Sequence, residues 1–158
     1  MDRVNQVWNH PLYQEELKKL QKLEENREFC CHTPEHFLDV ARLAYIQALE
    51  KEIPVSRELL YCTAFLHDIG RARQYEEGIP HDEAGARIAE QILTELGFSS
   101  EEKETVVLAI RGHRKGTDQT PLGELIYTAD KKSRNCFLCE AEPQCYWPLQ
   151  KKNMKITY

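Results

Sequence analysis

Between its glycines and prolines the chain repeats apolar residues at spacings of three and four, and it has no alternating apolar–polar run of useful length. That pattern admits helices and little else. A first amphipathic helix is predicted over about Pro11 to Asn26, with Leu12, Leu17, Leu20 and Leu23 on its apolar side. Pro11 suits the first turn, where a missing N–H is no loss. A second opens on Thr33-Pro34-Glu35, which brings a capping side chain, a pre-set first turn and negative charge at the positive end of the dipole. It runs through Ala41 to about Lys51. A third starts at Ser56, carries Leu59, Leu60, Ala64, Phe65 and Leu66 into His67-Asp68, and ends near Gly70. The fourth lies between Pro80 and Gly97. The fifth opens on Ser99 and Glu102, a capping-box pair, and ends at Gly112-His113. The sixth runs from near Pro121 through Leu125 and Ile126 to Asp130. No repeat, linker or low-complexity block separates them. The expectation is one all-α domain over residues 1–158, a compact bundle of about six to seven helices, with an irregular segment after Asn135.

A chain of 158 residues can bury an ordinary core without disulfides or a structural metal. Apolar residues at 41% and charged residues at 30% place it with folded rather than disordered chains. The longest apolar runs, such as that ending Val106-Val107-Leu108-Ala109-Ile110, fall far short of a membrane span. The opening Met1-Asp2-Arg3-Val4-Asn5 lacks the charged-then-apolar layout of a secretory signal, so a cytoplasmic location and no membrane partner are expected. A net charge of −5 argues against long nucleic acid as a partner, since such binders need a basic face. It leaves room for a local basic pocket around a small phosphate.

Five of the predicted helices place a histidine or aspartate on their apolar face. His36 shares a side with Val40, Leu43 or Ala44, and Gln47; His81 with Gly85, Ile88, Ile92 and Leu96; His113 with Val106 and Ala109 or Ile110. Leu122, Ile126 and Ala129 lead to Asp130, and a strongly apolar run leads to His67-Asp68. Taken singly, each has a plain structural reading. A histidine on an apolar face is commonly a core residue bonded to a backbone carbonyl, and an aspartate at a helix end is a cap or a solvated charge. Jointly they do not. Four of the six histidines fall on core-facing stripes, leaving only His10 and His32. Carboxylates buried among apolar residues need positive charge beside them, which a divalent metal supplies.

The ordered set His36, His67-Asp68 and Asp130 sits in three local words: His36-Phe37-Leu38-Asp39-Val40-Ala41, Ala64-Phe65-Leu66-His67-Asp68-Ile69-Gly70, and Thr128-Ala129-Asp130-Lys131. These resemble the defining motif of the HD-domain superfamily of metal-dependent phosphohydrolases, over about Cys31 to Arg134. The resemblance implies an all-α fold in which His36, His67, Asp68 and Asp130 hold one divalent metal. His81-Asp82-Glu83-Ala84-Gly85-Ala86 and Gly112-His113-Arg114 are similar to the extra histidines of two-metal members. That implies a second metal on His81 and His113, with Asp68 bridging. The chain lacks the Gly-Tyr-Pro signature of the cyclic-dinucleotide phosphodiesterase branch and the extra domains of the larger stringent-response enzymes.

Mixed nitrogen and oxygen donors suit Mn, Fe, Co, Ni or Zn without selecting one. In such a site two close metals lower the pKa of a shared water and stabilise both oxygens of an in-line displacement at phosphorus. The expected activity is therefore hydrolysis of a phosphate monoester or diester of a small molecule such as a nucleotide, with Asp68 and His67 at its catalytic centre. Arg71, Arg114 and Lys131 follow proposed ligands and are the expected phosphate clamp, with Arg73 and Lys115 weaker candidates; each is otherwise a solvated surface charge. His32, one turn before His36, is expected to orient a ligand or bind substrate, or else to be exposed. Two other classes stay open: a di-iron oxygenase on the same fold, and a non-catalytic module sensing a nucleotide or a redox signal. The oligomeric state is not legible.

Cys136, Cys139 and Cys145 have the two-residue spacing of zinc and iron–sulfur sites plus a third thiol. A closed site needs a fourth ligand, from Cys30, Cys31, a histidine or another chain. The alternative is that they are small buried hydrophobes under Tyr146 and Trp147. Cys30, Cys31 and Cys62 read most simply as core residues.

Overall fold

The computed structural model describes residues 1–112 and 120–158. These form α1 (Asp2–Trp8), α2 (Pro11–Leu23), α3 (Pro34–Glu50), α4 (Arg57–Leu66), α5 (Arg71–Glu77), α6 (His81–Glu95), α7 (Ser100–Gly112) and α8 (Pro121–Lys132), followed by three short 3₁₀ turns, Cys136–Leu138, Glu142–Gln144 and Leu149–Lys151. Among the described residues there is no strand, and no helix is long and apolar enough to cross a membrane. The all-α expectation holds.

The helix starts follow from side chains that satisfy the first free N–H groups. Thr33 Oγ1 accepts from His36 N at 3.3 Å, Ser56 Oγ from Leu59 N at 3.4 Å and Thr120 Oγ1 from Gly123 N at 3.1 Å. Prolines stand in the first turn of α2, α3 and α8. The Ser99–Glu102 capping box is reciprocal: Ser99 N donates to Glu102 Oε2 at 2.9 Å and Glu102 N to Ser99 Oγ at 3.2 Å.

Two helices go beyond the six read from periodicity. α1 buries only Val4 and Val7, and α5 only Ala72, so neither is long enough to display a repeat. The helix expected to reach Asn26 stops at Leu23. α5 ends on Gly78, whose φ of 73° is the left-handed conformation that glycine adopts without steric penalty.

Helix α4 is the axis of the molecule. Leu60, Cys62, Ala64 and Leu66 are all fully buried, as on a helix covered on every side. Cys62 and Leu66 belong to a core with Val7, Tyr13, Leu20, Ile92 and Ile110, between α1, α2, α6 and α7. Leu60 and Ala64 belong to a second core with Val40, Ala44, Leu125 and Ile126, between α3 and α8. The end of α4 therefore delivers His67 and Asp68 to the boundary between the two cores, both buried. Gly70 then lets the chain turn against α6: a Cβ there would stand 2.3 Å from both Gly85 N and His81 O. Only a hydrogen fits, and this close approach carries the start of α6 against Asp68.

Candidate metal centre

Four side chains from two helices and one joint meet between the cores. His36 lies in the first turn of α3, His67 and Asp68 follow α4, and Asp130 is near the end of α8. All four are buried, and one ligand atom from each lies within 4.8 Å of the others. His36 Nε2 faces Asp130 Oδ1 at 3.4 Å, and His67 Nε2 faces Asp68 Oδ2 at 3.2 Å and Asp130 Oδ1 at 3.9 Å.

Asp68 extends the group on both its oxygens. His81 Nε2 is 3.4 Å from Oδ1 and His32 Nε2 is 3.5 Å from Oδ2. His81, the expected ligand of a second metal, thus lies beside Asp68. His113, its expected partner, lies outside the described residues, as do Arg114 and Lys115. His32 is buried at 3% exposure, so the exposed alternative fails.

Each of the four histidines has its Nδ1 engaged and its Nε2 turned to the carboxylates. His67 Nδ1 lies 2.6 Å from the Ala64 carbonyl, His81 Nδ1 2.8 Å from Gln74 Oε1, and His32 Nδ1 2.6 Å from Glu24 Oε1. His36 Nδ1 lies 3.1 Å from Ser133 Oγ, whose own hydroxyl donates to the Asp130 carbonyl at 2.8 Å. A proton held on Nδ1 leaves the Nε2 lone pair for a metal.

The electrostatics ask for a cation. Burial lowers the His36 imidazole to about 4, so this ring is a neutral donor. Burial pushes His67 the same way, but Asp68 and Asp130 beside it raise it to about 9. The rings differ because His67 faces both carboxylates, whereas His36 faces Asp130 with the Arg134 charge nearby. Burial alone would raise the Asp130 carboxyl; His36, His67 and Arg134 hold it well below the ordinary range. His36 Nε2 itself makes no hydrogen bond among the described residues. Two clustered carboxylates, aligned imidazoles and an unbonded ring nitrogen fit a divalent transition ion.

A cleft of about 110 Å³ opens over Asp130, and Arg27, His32, Arg71, Lys131, Arg134 and Trp147 line it. Arg71 Nε donates to Asp68 Oδ1 at 2.9 Å, Lys131 Nζ to Asp130 Oδ2 at 2.6 Å and Arg134 Nη2 to Asp130 Oδ1 at 3.1 Å. Arg71 and Lys131 were expected there. Arg73 is instead tied to buried Glu16, joining α5 to α2. Arg27, Arg134, Ser133, Gln74 and Glu24 were not foreseen. Arg134, four residues after Asp130, is the one that helical spacing can find. Glu24 has no sequence signal, yet it accepts from the His32 backbone and ring at 2.6 Å and from Tyr75 Oη at 2.7 Å. Burial opposes its ionisation, and these bonds still hold the carboxyl at about 2.

Comparison with known proteins points one way. A family model described as HD domain matches residues 33–135. An uncharacterized protein of Clostridium beijerinckii is 42% identical over the full length of both chains. A bifunctional uridylyltransferase/uridylyl-removing enzyme of Azospirillum brasilense is 37% identical over 81 residues, which is 49% of this chain and 8% of that protein. Ribonuclease Y of Syntrophomonas wolfei is 29% identical over 79% of this chain, which spans only 22% of that protein's length. The crystal structure of a predicted HD superfamily hydrolase from an uncultured Thermotogales bacterium superposes with a TM-score of 0.64, covering 89% of this chain and 81% of that one at 23% identity. This last likeness is one of fold.

Proposed function

The chain belongs to the HD-domain family, and from that membership we propose that it is a metal-dependent phosphohydrolase acting on a mono- or diester of a small phosphorylated molecule such as a nucleotide. The observation that carries the proposal is the juxtaposition of a buried His/Asp group with a basic cleft. His36, His67, Asp68 and Asp130 would hold one divalent ion, and His81 stands beside Asp68 for a second. Bound there, such an ion supplies Lewis acidity and an acidified water at neutral pH.

The chain's own residues do the rest. Arg71, Lys131 and Arg134 touch the two carboxylates and also line the cleft, so a phosphate that enters meets positive charge on the side of the ligands. Arginine's planar fork matches two phosphate oxygens, while Lys131 acts as a point charge. The Nδ1 anchors hold the four imidazoles fixed as substrate charge arrives. Trp147 offers a flat apolar wall on which a base or similar ring can stack. The names of the Azospirillum and Syntrophomonas relatives add nucleotidyl diesters to the substrates worth trying.

The test is a panel of phosphomonoesters and phosphodiesters, from p-nitrophenyl phosphate and bis-p-nitrophenyl phosphate to nucleotides and short oligonucleotides. Each is assayed with Mn, Fe, Co, Ni and Zn, on wild type and on Asp68→Ala. Metal-dependent turnover lost in Asp68→Ala supports the proposal. Turnover that survives in Asp68→Ala, or none with any ester and metal, sinks it.

A further inference from the structure

The segment after Asn135 is nearly coreless. Its 3₁₀ turns bury only Cys136, and Leu138, Tyr146, Leu149, Met154 and Ile156 stand exposed. Asn153 tethers it through its amide to the carbonyls of Lys131, Lys132 and Arg134, and Lys152 Nζ bonds Glu142 at 2.7 Å. A segment with so little buried apolar surface needs a cross-link to hold one shape. All six cysteines are free thiols.

Five of those thiols, Cys30, Cys31, Cys136, Cys139 and Cys145, belong to residues that line one cavity of about 300 Å³ between the loop before α3 and the segment after α8. Burial raises the Cys30 thiol, and Cys136, Cys139 and Cys145 push it the same way while Arg134 opposes them, so the four sulfurs share one electrostatic neighbourhood. Cys31 does not share it. Its Sγ turns back to the carbonyls of Arg27 at 3.7 Å and Glu24 at 3.9 Å. Cys30 also holds a φ of 24°, a strained value for a residue with a side chain. The core role expected of Cys30 and Cys31 is not what they play, since both are partly exposed; Cys62 alone of the three is buried.

We propose that Cys30, Cys136, Cys139 and Cys145 bind an iron–sulfur cluster that staples the C-terminal segment to the loop leading into α3. A lone zinc fits less well. Four sulfurs at about 2.3 Å from one ion crowd to within about 4 Å of each other. The tight group of ligand atoms within 4.8 Å among the described residues includes none of these cysteines. Thiols that share a cavity without gathering within 4.8 Å suit a polynuclear cluster with four thiolate ligands. Charge on the lining is mixed: Glu35, Asp39 and Glu142 line the cavity too, and Lys152 is paired with Glu142, which leaves Arg134 as the cation facing an anionic thiolate-ligated cluster. Arg134 Nε is buried without a hydrogen-bond partner, while Nη2 of the same guanidinium holds Asp130. One side chain thus spans the cluster site and the metal centre. The assignment is independent of the phosphohydrolase reading.

The experiment is iron and acid-labile sulfide per chain, with the visible absorption spectrum, on full-length protein purified and reconstituted without oxygen. Sulfide separates the cluster from any iron on the histidines, and Asp68→Ala should leave it unchanged. The expected result is about two or about four sulfides per chain, for the two common cluster types. Cys30→Ser, Cys139→Ser and Cys145→Ser should lose it and Cys31→Ser should keep it. Cys139 is exposed, so Cys139→Ser tests ligation with least disturbance of the fold, which circular dichroism monitors. Wild type without sulfide, zinc on the thiolates instead, or full sulfide in Cys139→Ser or Cys30→Ser would overturn the proposal.

Discussion

Ser133 Oγ lies 3.1 Å from His36 Nδ1, 97 residues away in sequence, while its hydroxyl hydrogen goes to the Asp130 carbonyl. A serine that caps the end of α8 thereby sets the tautomer of a histidine on the first turn of α3. Replacing it with alanine removes the acceptor and lets the ring turn or change tautomer. Ser133→Ala is expected to lower metal affinity about 10- to 100-fold, with Ser133→Thr close to wild type. Competition against a coloured chelator measures it, and an unchanged affinity in Ser133→Ala would remove the serine from this role.

Removing metal should destabilise the fold, because ligands on α3, α8 and the end of α4 then lose the ion that joins them. An ion at 100 times its dissociation constant adds about 2.7 kcal/mol. For a chain of this size that is a Tm change of roughly 5 to 10 °C. Chelation should lower Tm by this amount, re-addition of Mn or Zn should restore it, and Asp68→Ala should respond to neither. A Tm indifferent to chelator would mean that the carboxylates are balanced by Arg71, Lys131 and Arg134 alone.

His81 and the group of four divide the expected metals. His81 Nε2 lies 3.4 Å from Asp68 Oδ1, so His81→Ala should lower a stoichiometry near two per chain toward one. Elemental analysis of iron, manganese, cobalt, nickel and zinc reads this in the Cys139→Ser background, where the proposed cluster contributes no iron. A value of one in both proteins, after titration with Mn, returns His81 to a substrate or positioning role.

Two glycines that face each other should respond in opposite ways. A Cβ on Gly70 would collide with backbone of α6 at 2.3 Å, whereas a Cβ on Gly85 meets nothing closer than 3.5 Å. Gly70→Ala should therefore cost about 3 kcal/mol or more and displace His81. Gly85→Ala should be neutral or stabilising by up to about 1 kcal/mol, from helix propensity. Urea unfolding of both variants checks the contrast; comparable stability in the two would show that α6 can move away from Gly70.

Arg71 makes a charge-assisted bond to Asp68 at the mouth of the site. Arg71→Ala should raise KM for a phosphate ester about 10- to 100-fold, the worth of one to two charged hydrogen bonds. Arg71→Lys should recover only part of it, because a lysine has no planar fork. A KM unmoved in Arg71→Ala would assign the clamp to Lys131 and Arg134.

The amino-acid sequence alone determined the fold class and the identity of the metal-ligand candidates. Helical periodicity, caps at Thr33, Ser56 and Ser99, and prolines in first turns are local properties, and they placed six of the eight α-helices among the described residues. Aspartates on apolar faces announce a cation by the cost of burying charge, so His36, His67, Asp68 and Asp130, which the fold brings together, were legible as candidates before any coordinates. Short helices were not: α1 and α5 bury too few residues to show a period.

What only the tertiary structure decided is which residues serve those ligands. Nothing local couples Glu24 to His32, Gln74 to His81 or Ser133 to His36, because hydrogen-bond partners are chosen by the packing of whole helices. His32 had two readings in sequence and one in the fold, since burial against Asp68 follows from how the loop before α3 crosses α4. Cys30 and Cys31 are neighbours with the same chemistry. A backbone turn at Cys30 sends one thiol to the C-terminal cysteines and the other to Glu24 and Arg27. Composition fixes what groups a chain owns; the path of the backbone fixes where they point, and that path is set by both cores at once.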